Sequence, residues 1–178
     1  MIVPPVMNQT VLQAAYVVND LREAAEKWSA AFGVGPFYLM EHIPVKSPKY
    51  RGQPNEVDFS TALTMAGDLQ IELIEQHCDS PSCYRDMFPK GQEGFHHLAV
   101  ICEDYVKEVD RYKAQGYELA NEGLFGPMAF CYVDTSKDLS CMIELLEDTP
   151  HIRDFFESIR KGCENWDGSN PIRTAADL

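Results

Sequence analysis

The sequence predicts an α+β fold in which a strand–helix–strand–strand–strand (βαβββ) module occurs twice and a C-terminal helix follows. Three observations point to it. A strand-then-helix passage repeats: VLQAAYVVND with LREAAEKWSAAFG near the start, and FHHLAVICED with YVKEVDRYKAQG past the middle. A second pair of segments, QIELIE and MIELLE, shares one pattern of apolar residues around a central glutamate. Beyond it, Ile152, Phe155, Phe156 and Ile159 fall at helical spacing.

Each element can be justified in turn. Val11 opens an apolar strand; Asp20 is placed to cap the helix that follows and Gly33 to end it. Two strands, Phe37–Val45 and Val57–Met65, flank the polar loop Ser47–Glu56, which is rich in turn formers and expected to be exposed. Gln70–Glu75 closes the first copy. The second copy opens at Phe95, with Asp104 and Gly116 in the roles of Asp20 and Gly33, at offsets of 84 and 83 residues. Tyr117–Asn121 and Met128–Val133 read as its middle strands, punctuated by Gly123 and Gly126. The closing glutamates, Glu72 and Glu144, are only 72 residues apart, so the second copy lacks a stretch the size of the Ser47–Glu56 loop. These landmarks place module one at 1–76, a linker at 77–93, module two at 94–148, and the C-terminal helix and tail at 149–178. The helix is expected over His151–Trp166, packing on the domain or on a partner chain, with the final DGSNPIRTAADL as loop.

Composition narrows the function classes. The 178 residues are 45% apolar and 24% charged, ordinary for a globular chain. A net charge of −13 argues against nucleic acid and anionic membrane surfaces as partners. No window approaches the roughly 18 apolar residues of a transmembrane helix. The N-terminus has no basic region followed by an apolar core, so the expectation is a cytoplasmic protein. Its six cysteines are then reduced thiols, with Cys102, Cys131 and Cys141 acting as small buried hydrophobes.

Four polar residues sit inside strongly apolar strands. Glu72 and Glu144 occupy equivalent positions in the closing strands. Gln13 and His97, each seven residues before the helix-capping aspartate, occupy equivalent positions in the opening strands. Taken singly, a strand glutamate is usually a surface residue, and a strand glutamine or histidine a hydrogen-bonded one. Taken together, the repeat makes separate explanations harder. Two modules packed about a pseudo-twofold would bring Gln13, Glu72, His97 and Glu144 into one oxygen-rich cluster, suited to a divalent Zn, Ni, Co, Mn or Fe ion. Strand alternation puts His96 on the opposite face, as a structural or pocket-lining residue. His42 and His77 lack repeat counterparts and read as solvated. His77 and Cys78 with Cys83 resemble half of a zinc site with no second half.

At these residues the sequence resembles the vicinal oxygen chelate superfamily, the group of glyoxalase I, methylmalonyl-CoA epimerase, bleomycin-resistance proteins and extradiol dioxygenases. The resemblance spans Val11 to Glu147 and is most specific in FHHLAVICED, CMIELLED and DLQIELIEQ. It implies paired βαβββ modules forming a curved mixed sheet around a metal site, with Gln13, Glu72, His97 and Glu144 as ligands. That set is similar to zinc-type glyoxalase I; the epimerases more often carry His at the position of Gln13. The implied activity is that of a metal-dependent lyase, isomerase or epimerase. It would chelate two vicinal substrate oxygens and move a proton alpha to a carbonyl through an enolate or enediolate. Glu144, or else Glu72, is the catalytic base, and Glu56 a weaker candidate. The substrate is a small oxygenated metabolite, a thioester and a glutathione adduct among the options. Lys46, Lys49 and Arg51 are the only basic cluster that could meet their charges. The alternatives are a metal-free small-molecule binding protein and an Fe(II) ring-cleaving dioxygenase, which wants two histidines and one carboxylate. The segment DLSC at Asp138–Cys141 lacks the glycine common in the family, and the tail after Asp148 lies outside the common fold. Its apolar helix leads to the expectation of a homodimer.

Overall fold

The computed structural model describes residues 9–178. Its centre is one mixed sheet of eleven strands. Module one contributes β1 (Val11–Val17), β2 (Phe37–Met40), β5 (Phe59–Ala66) and β6 (Leu69–Gln76), with helix α1 (Leu21–Phe32) after β1. Module two contributes β7 (Gly94–Cys102), β8 (Leu119–Phe125), β9 (Met128–Val133) and β10 (Met142–Glu147), with helix α3 (Tyr105–Ala114) after β7. In each, the first strand lies parallel to the last, and the remaining two follow antiparallel. The modules join where β1 pairs antiparallel with β7, which is the pseudo-twofold that the repeat implied.

The local chemistry forms the helices as expected. Asp20 accepts from the Glu23 amide and Gly33, at φ 73°, ends α1. Asp104 accepts from the Lys107 amide at the start of α3. Leu21 and Ala25 of α1 pack against Val18, Leu39 and Ile71; Val109 and Tyr112 of α3 pack against Val100, Cys131 and Leu145. Both helices thus cover one face of the sheet and leave the other to the site.

Three expectations are corrected. The second strand of module one stops at Met40, not Val45: His42 takes a left-handed φ of 52° and turns the chain away. The segment that follows is not a free loop. It forms a hairpin, β3 (Val45–Tyr50) and β4 (Gln53–Pro54), that reaches across to pair with β8 of module two. Gly123 therefore lies inside β8 rather than ending a strand; a Cβ there would come within 2.5 Å of Val45 Cγ1. Finally, the tail is not all loop, because β11 (Ile172–Thr174) adds to the sheet beside β2.

Arg51 fastens the hairpin. Its guanidinium donates to Asp86 of α2 (Cys83–Met87) and to Asp134, both at 2.8 Å, and to Glu118 at 3.1 Å. Replacing Arg51 with Ala is expected to lower stability by about 1 kcal/mol, the small value reflecting its partial exposure to screening water. Urea denaturation of the two proteins, with the slope unchanged, checks it.

Helix α5 (Pro150–Cys163) crosses the sheet's open face. Thr149 caps it, accepting from the Ile152 amide. Ile152, Phe155 and Phe156 pack on module two around Met128 and Leu146; Phe155, Phe156 and Ile159 pack on module one around Tyr38 and Leu63. The apolar face on which a homodimer was expected is thus turned onto the chain's own sheet. Met40 on β2 and Phe125 on β8 line one cavity beneath it, although seven strand spacings separate them in the sheet order. On a flat sheet that separation would be roughly 33 Å, so the sheet is strongly curved around the cavity. Among the described residues, no helix is long and apolar enough to cross a membrane.

Candidate metal centre

Gln13, Glu72, His97 and Glu144 lie on four adjacent strands, β1, β6, β7 and β10, at the middle of the sheet. All four side chains meet on the curved inner face. The His97 Nε2 stands 3.2 Å from a Glu144 carboxylate oxygen, 3.5 Å from one of Glu72 and 3.4 Å from the Gln13 amide oxygen. Ligand atoms of Glu72, His97 and Glu144 lie within 4.8 Å of one another. Gln13 is oriented from behind: its amide nitrogen donates to Gln70 Oε1 at 2.7 Å, which turns its oxygen toward His97.

A pair of β-bulges aims the two opening strands. The β1–β7 register slips between Val11 and Gln13 on one strand, and between His97 and Phe95 on the other. Each slip falls directly beside the polar residue of its own module, and a bulge re-aims side chains at such places. The second bulge also corrects the expectation for His96. It does not point to the opposite face but sits beside His97, with its Nδ1 2.9 Å from the His97 Nδ1 and its ring packed on Tyr84 and Tyr132.

The hydrogen-bond partners assign the tautomers. His96 Nε2 lies 3.0 Å from the Cys83 carbonyl, which can only accept, so the His96 proton is on Nε2. Burial pushes His96 down to about 3, so its ring is neutral and its Nδ1 accepts from His97 Nδ1–H. That puts a proton on His97 Nδ1 and turns its Nε2 toward three acceptor oxygens. Two of them belong to carboxyl groups removed from water, and burial first, then the Glu144 charge, holds the Glu72 carboxyl well above the usual carboxylate range. One imidazole, one amide oxygen and two carboxylates converging on one point are a chemically fitting set for a divalent metal.

Replacing His96 with Ala removes the group that holds the His97 ring. The expected effect is a 10- to 100-fold loss of metal affinity, on the order of what an outer partner contributes. Competition with a chromogenic chelator measures it; unchanged affinity would show that His96 does not orient the ligand.

The other residues singled out in the sequence lie elsewhere. Glu56 is exposed and lines an outer cavity, not the quartet. Lys49 pairs with Glu122 at 2.9 Å and Arg51 with the acids described above. Cys83 is buried in α2, far from pairing with Cys78 as a zinc site. His42 and His77 are exposed, as expected, but stand together: His42 Nδ1 is 2.7 Å from Asp58, the two tilted rings lie 4.9 Å apart, and His77 Nε2 is 2.7 Å from Ser60 Oγ. Sequence reasoning missed the roles of Gln70 and Tyr84 around the site. Gln70 shares the inner face with Glu72, a signal that was available; Tyr84 comes from the linker and gave none.

The model of the Glyoxalase/Bleomycin resistance protein/Dioxygenase superfamily matches residues 12–133. The chain belongs to this superfamily. The match includes Gln13, Glu72 and His97 and ends before Glu144 and α5. No curated protein sequence matches the chain. Solved structures share the fold at low identity. A hypothetical protein, BH1468 from Bacillus halodurans C-125, is 16% identical with a TM-score of 0.56, over 80% of this chain and 96% of its own. Methylmalonyl-CoA epimerase from Mycobacterium tuberculosis is 17% identical with a TM-score of 0.55, over 86% and 97%. A variant of the Streptomyces coelicolor methylmalonyl-CoA epimerase in complex with 2-nitronate-propionyl-CoA is 16% identical with a TM-score of 0.57, over 80% and 96%.

Proposed function

We propose that this protein is a metal-dependent lyase, isomerase or epimerase of the glyoxalase-like type, with Gln13, Glu72, His97 and Glu144 as ligands of one divalent ion. The observation that carries the reading is His97 Nε2 facing three oxygens from three other strands, beneath a cavity that among the described residues is lined by neither lysine nor arginine. When bound, such an ion would take two vicinal oxygens of a substrate and favour the enolate formed beside its carbonyl.

The protein's own groups do the rest. Glu144, on the cavity floor, takes the proton from the carbon beside the carbonyl and returns it. A carboxylate held tightly by a metal would be a weak base, so Glu144 would act as base only where its hold on the ion is loose. Glu72 is the alternative base. Gln13, locked by Gln70, contributes a neutral ligand, so the two carboxylates balance a dication's charge. Burial raises the hydroxyls of Tyr84 and Tyr132, which stand neutral 3.2 Å apart at the cavity wall. With only one histidine, the quartet departs from the two-histidine set of an Fe(II) ring-cleaving dioxygenase.

The test is metal analysis of untagged protein beside a His97→Ala/Glu144→Ala variant. One divalent ion per chain, lost in the variant, supports the reading. No ion after reconstitution would sink it and favour a metal-free binding protein. Deuterium wash-in from D2O, followed by NMR on 2-hydroxycarbonyl compounds and acyl-CoA epimers, then identifies the reaction.

A further inference from the structure

The cavity above the quartet has a largely apolar wall. Its floor carries the polar Gln13, Glu72 and Glu144, and apart from Thr61 and Tyr132 the residues around them are apolar. Met40 and Phe59 come from module one, Met128 and Phe130 from module two, and Phe155 and Phe156 from α5. The last two close the open face of the sheet, because each packs with residues of both modules. This inner cavity, about 70 Å3, shares Phe59, Phe130 and Tyr132 with an outer one of about 280 Å3.

The rim of the outer cavity carries Glu56 together with two paired acids, Asp58 bonded to His42 and Glu122 bonded to Lys49. Among the described residues, no lysine or arginine lines either cavity. The hairpin's Lys49 and Arg51, which could have met an anion there, are bonded to Glu122 and to Asp86 and Asp134. The whole chain carries a net charge of −13. Proteins that recognise phosphates or carboxylates place guanidinium, ammonium or helix-terminal amide groups against them, and a rim of like charge repels them.

We infer that the part of the substrate beyond its two chelating oxygens is an uncharged apolar group, aryl or branched alkyl, and that acyl-CoA thioesters and glutathione adducts are not substrates. This rests on the metal reading above and specifies what the site accepts. The chelating oxygens sit over the quartet; the apolar group lies under α5, against Phe130 and Phe156, and extends toward the outer cavity. The neutral, desolvated wall that excludes polyanions also strengthens the electrostatics at the floor.

The experiment compares two chelators with the same head. Acetohydroxamate and benzohydroxamate both present two adjacent oxygens and differ in methyl against phenyl. Calorimetric titration into metal-loaded protein, with metal measured in the same samples, is expected to show benzohydroxamate binding at least about tenfold tighter, the size of effect that filling a hydrophobic pocket produces. Phe156→Ala is expected to erase most of that difference, with metal content and circular dichroism of the same samples as the controls for site and fold. Methylmalonyl-CoA and S-lactoylglutathione are expected not to displace benzohydroxamate. Equal affinities for the two hydroxamates, or displacement by either polyanion, would overturn the inference while the metal reading stands. Protein that holds no ion would overturn both.

Discussion

Glu144→Gln is expected to lose turnover by a factor of about 10² to 10⁴, the range a positioned general base contributes, while the fold survives. The substitution keeps the shape of the side chain and an oxygen that can face His97 Nε2, which is 3.2 Å from the present carboxylate. It removes the negative charge and the basic oxygen. Glu144 is buried, with 6% exposure, and its strand is paired on both sides, to β7 and β9, so the amide has no route to another position. Metal affinity should fall as well, because one of the two compensating carboxylates is gone. Measuring metal content and turnover in the same preparation separates the two losses. A variant that keeps metal and loses turnover assigns the proton transfer to Glu144. A variant that keeps metal and full turnover moves that role to Glu72. Glu72→Gln then completes the comparison: the true base should lose turnover at saturating metal, whereas a ligand alone should recover as metal is added.

The parts of this arrangement that were legible in the sequence are those the repeat controls. Asp20 and Asp104, Gly33 and Gly116, Glu72 and Glu144 mark equivalent places by their spacing, and that spacing alone brought Gln13 and His97 into view. The length difference between the copies also located the inserted hairpin correctly. Its destination was invisible, because pairing of Val45–Tyr50 with β8 is a contact between distant segments with no local signature. Alternation misplaced His96 for a related reason. It assumes one residue opposite one residue, and the bulge at Phe95–His97 breaks that count. The apolar face of α5 was plain from Ile152, Phe155, Phe156 and Ile159, but periodicity says only that a face is buried, not against what. Likewise, nothing in the spacing of His42, Asp58 and His77 announces that a left-handed turn at His42 will bring the two rings together.

Removing the metal is expected to destabilise the protein by several kcal/mol near pH 8 and by much less near pH 5. The physics lies in Glu72. In the metal-free protein its carboxyl is held well above its ordinary value of 4.5, by burial and then by Glu144. The folded state therefore binds the Glu72 proton more tightly than the unfolded state does. Stability of the metal-free form is fully present below about pH 4.5 as far as this group is concerned. It falls as pH rises through the raised folded value, by up to about 1.4 kcal/mol per unit of pH. A divalent ion reverses the slope, because it competes with the proton for the same oxygens and stabilises only the folded chain; at a thousandfold excess over its dissociation constant it contributes about 4 kcal/mol. Two urea denaturation series, with chelator and with metal, should therefore diverge as pH increases. Glu72→Gln should flatten the chelated series, since the amide has no proton to lose. Parallel series would mean that Glu72 is neither strained in the metal-free chain nor a ligand in the loaded one. The same divergence bears on how the site is built. A quartet that destabilises the metal-free fold at neutral pH is not kept for stability, and a well-packed apolar residue at position 72 should fold better than glutamate does. If Glu72→Leu is more stable than the metal-free wild type at pH 8 while binding no metal, the cost of the quartet is offset only by the ion it holds.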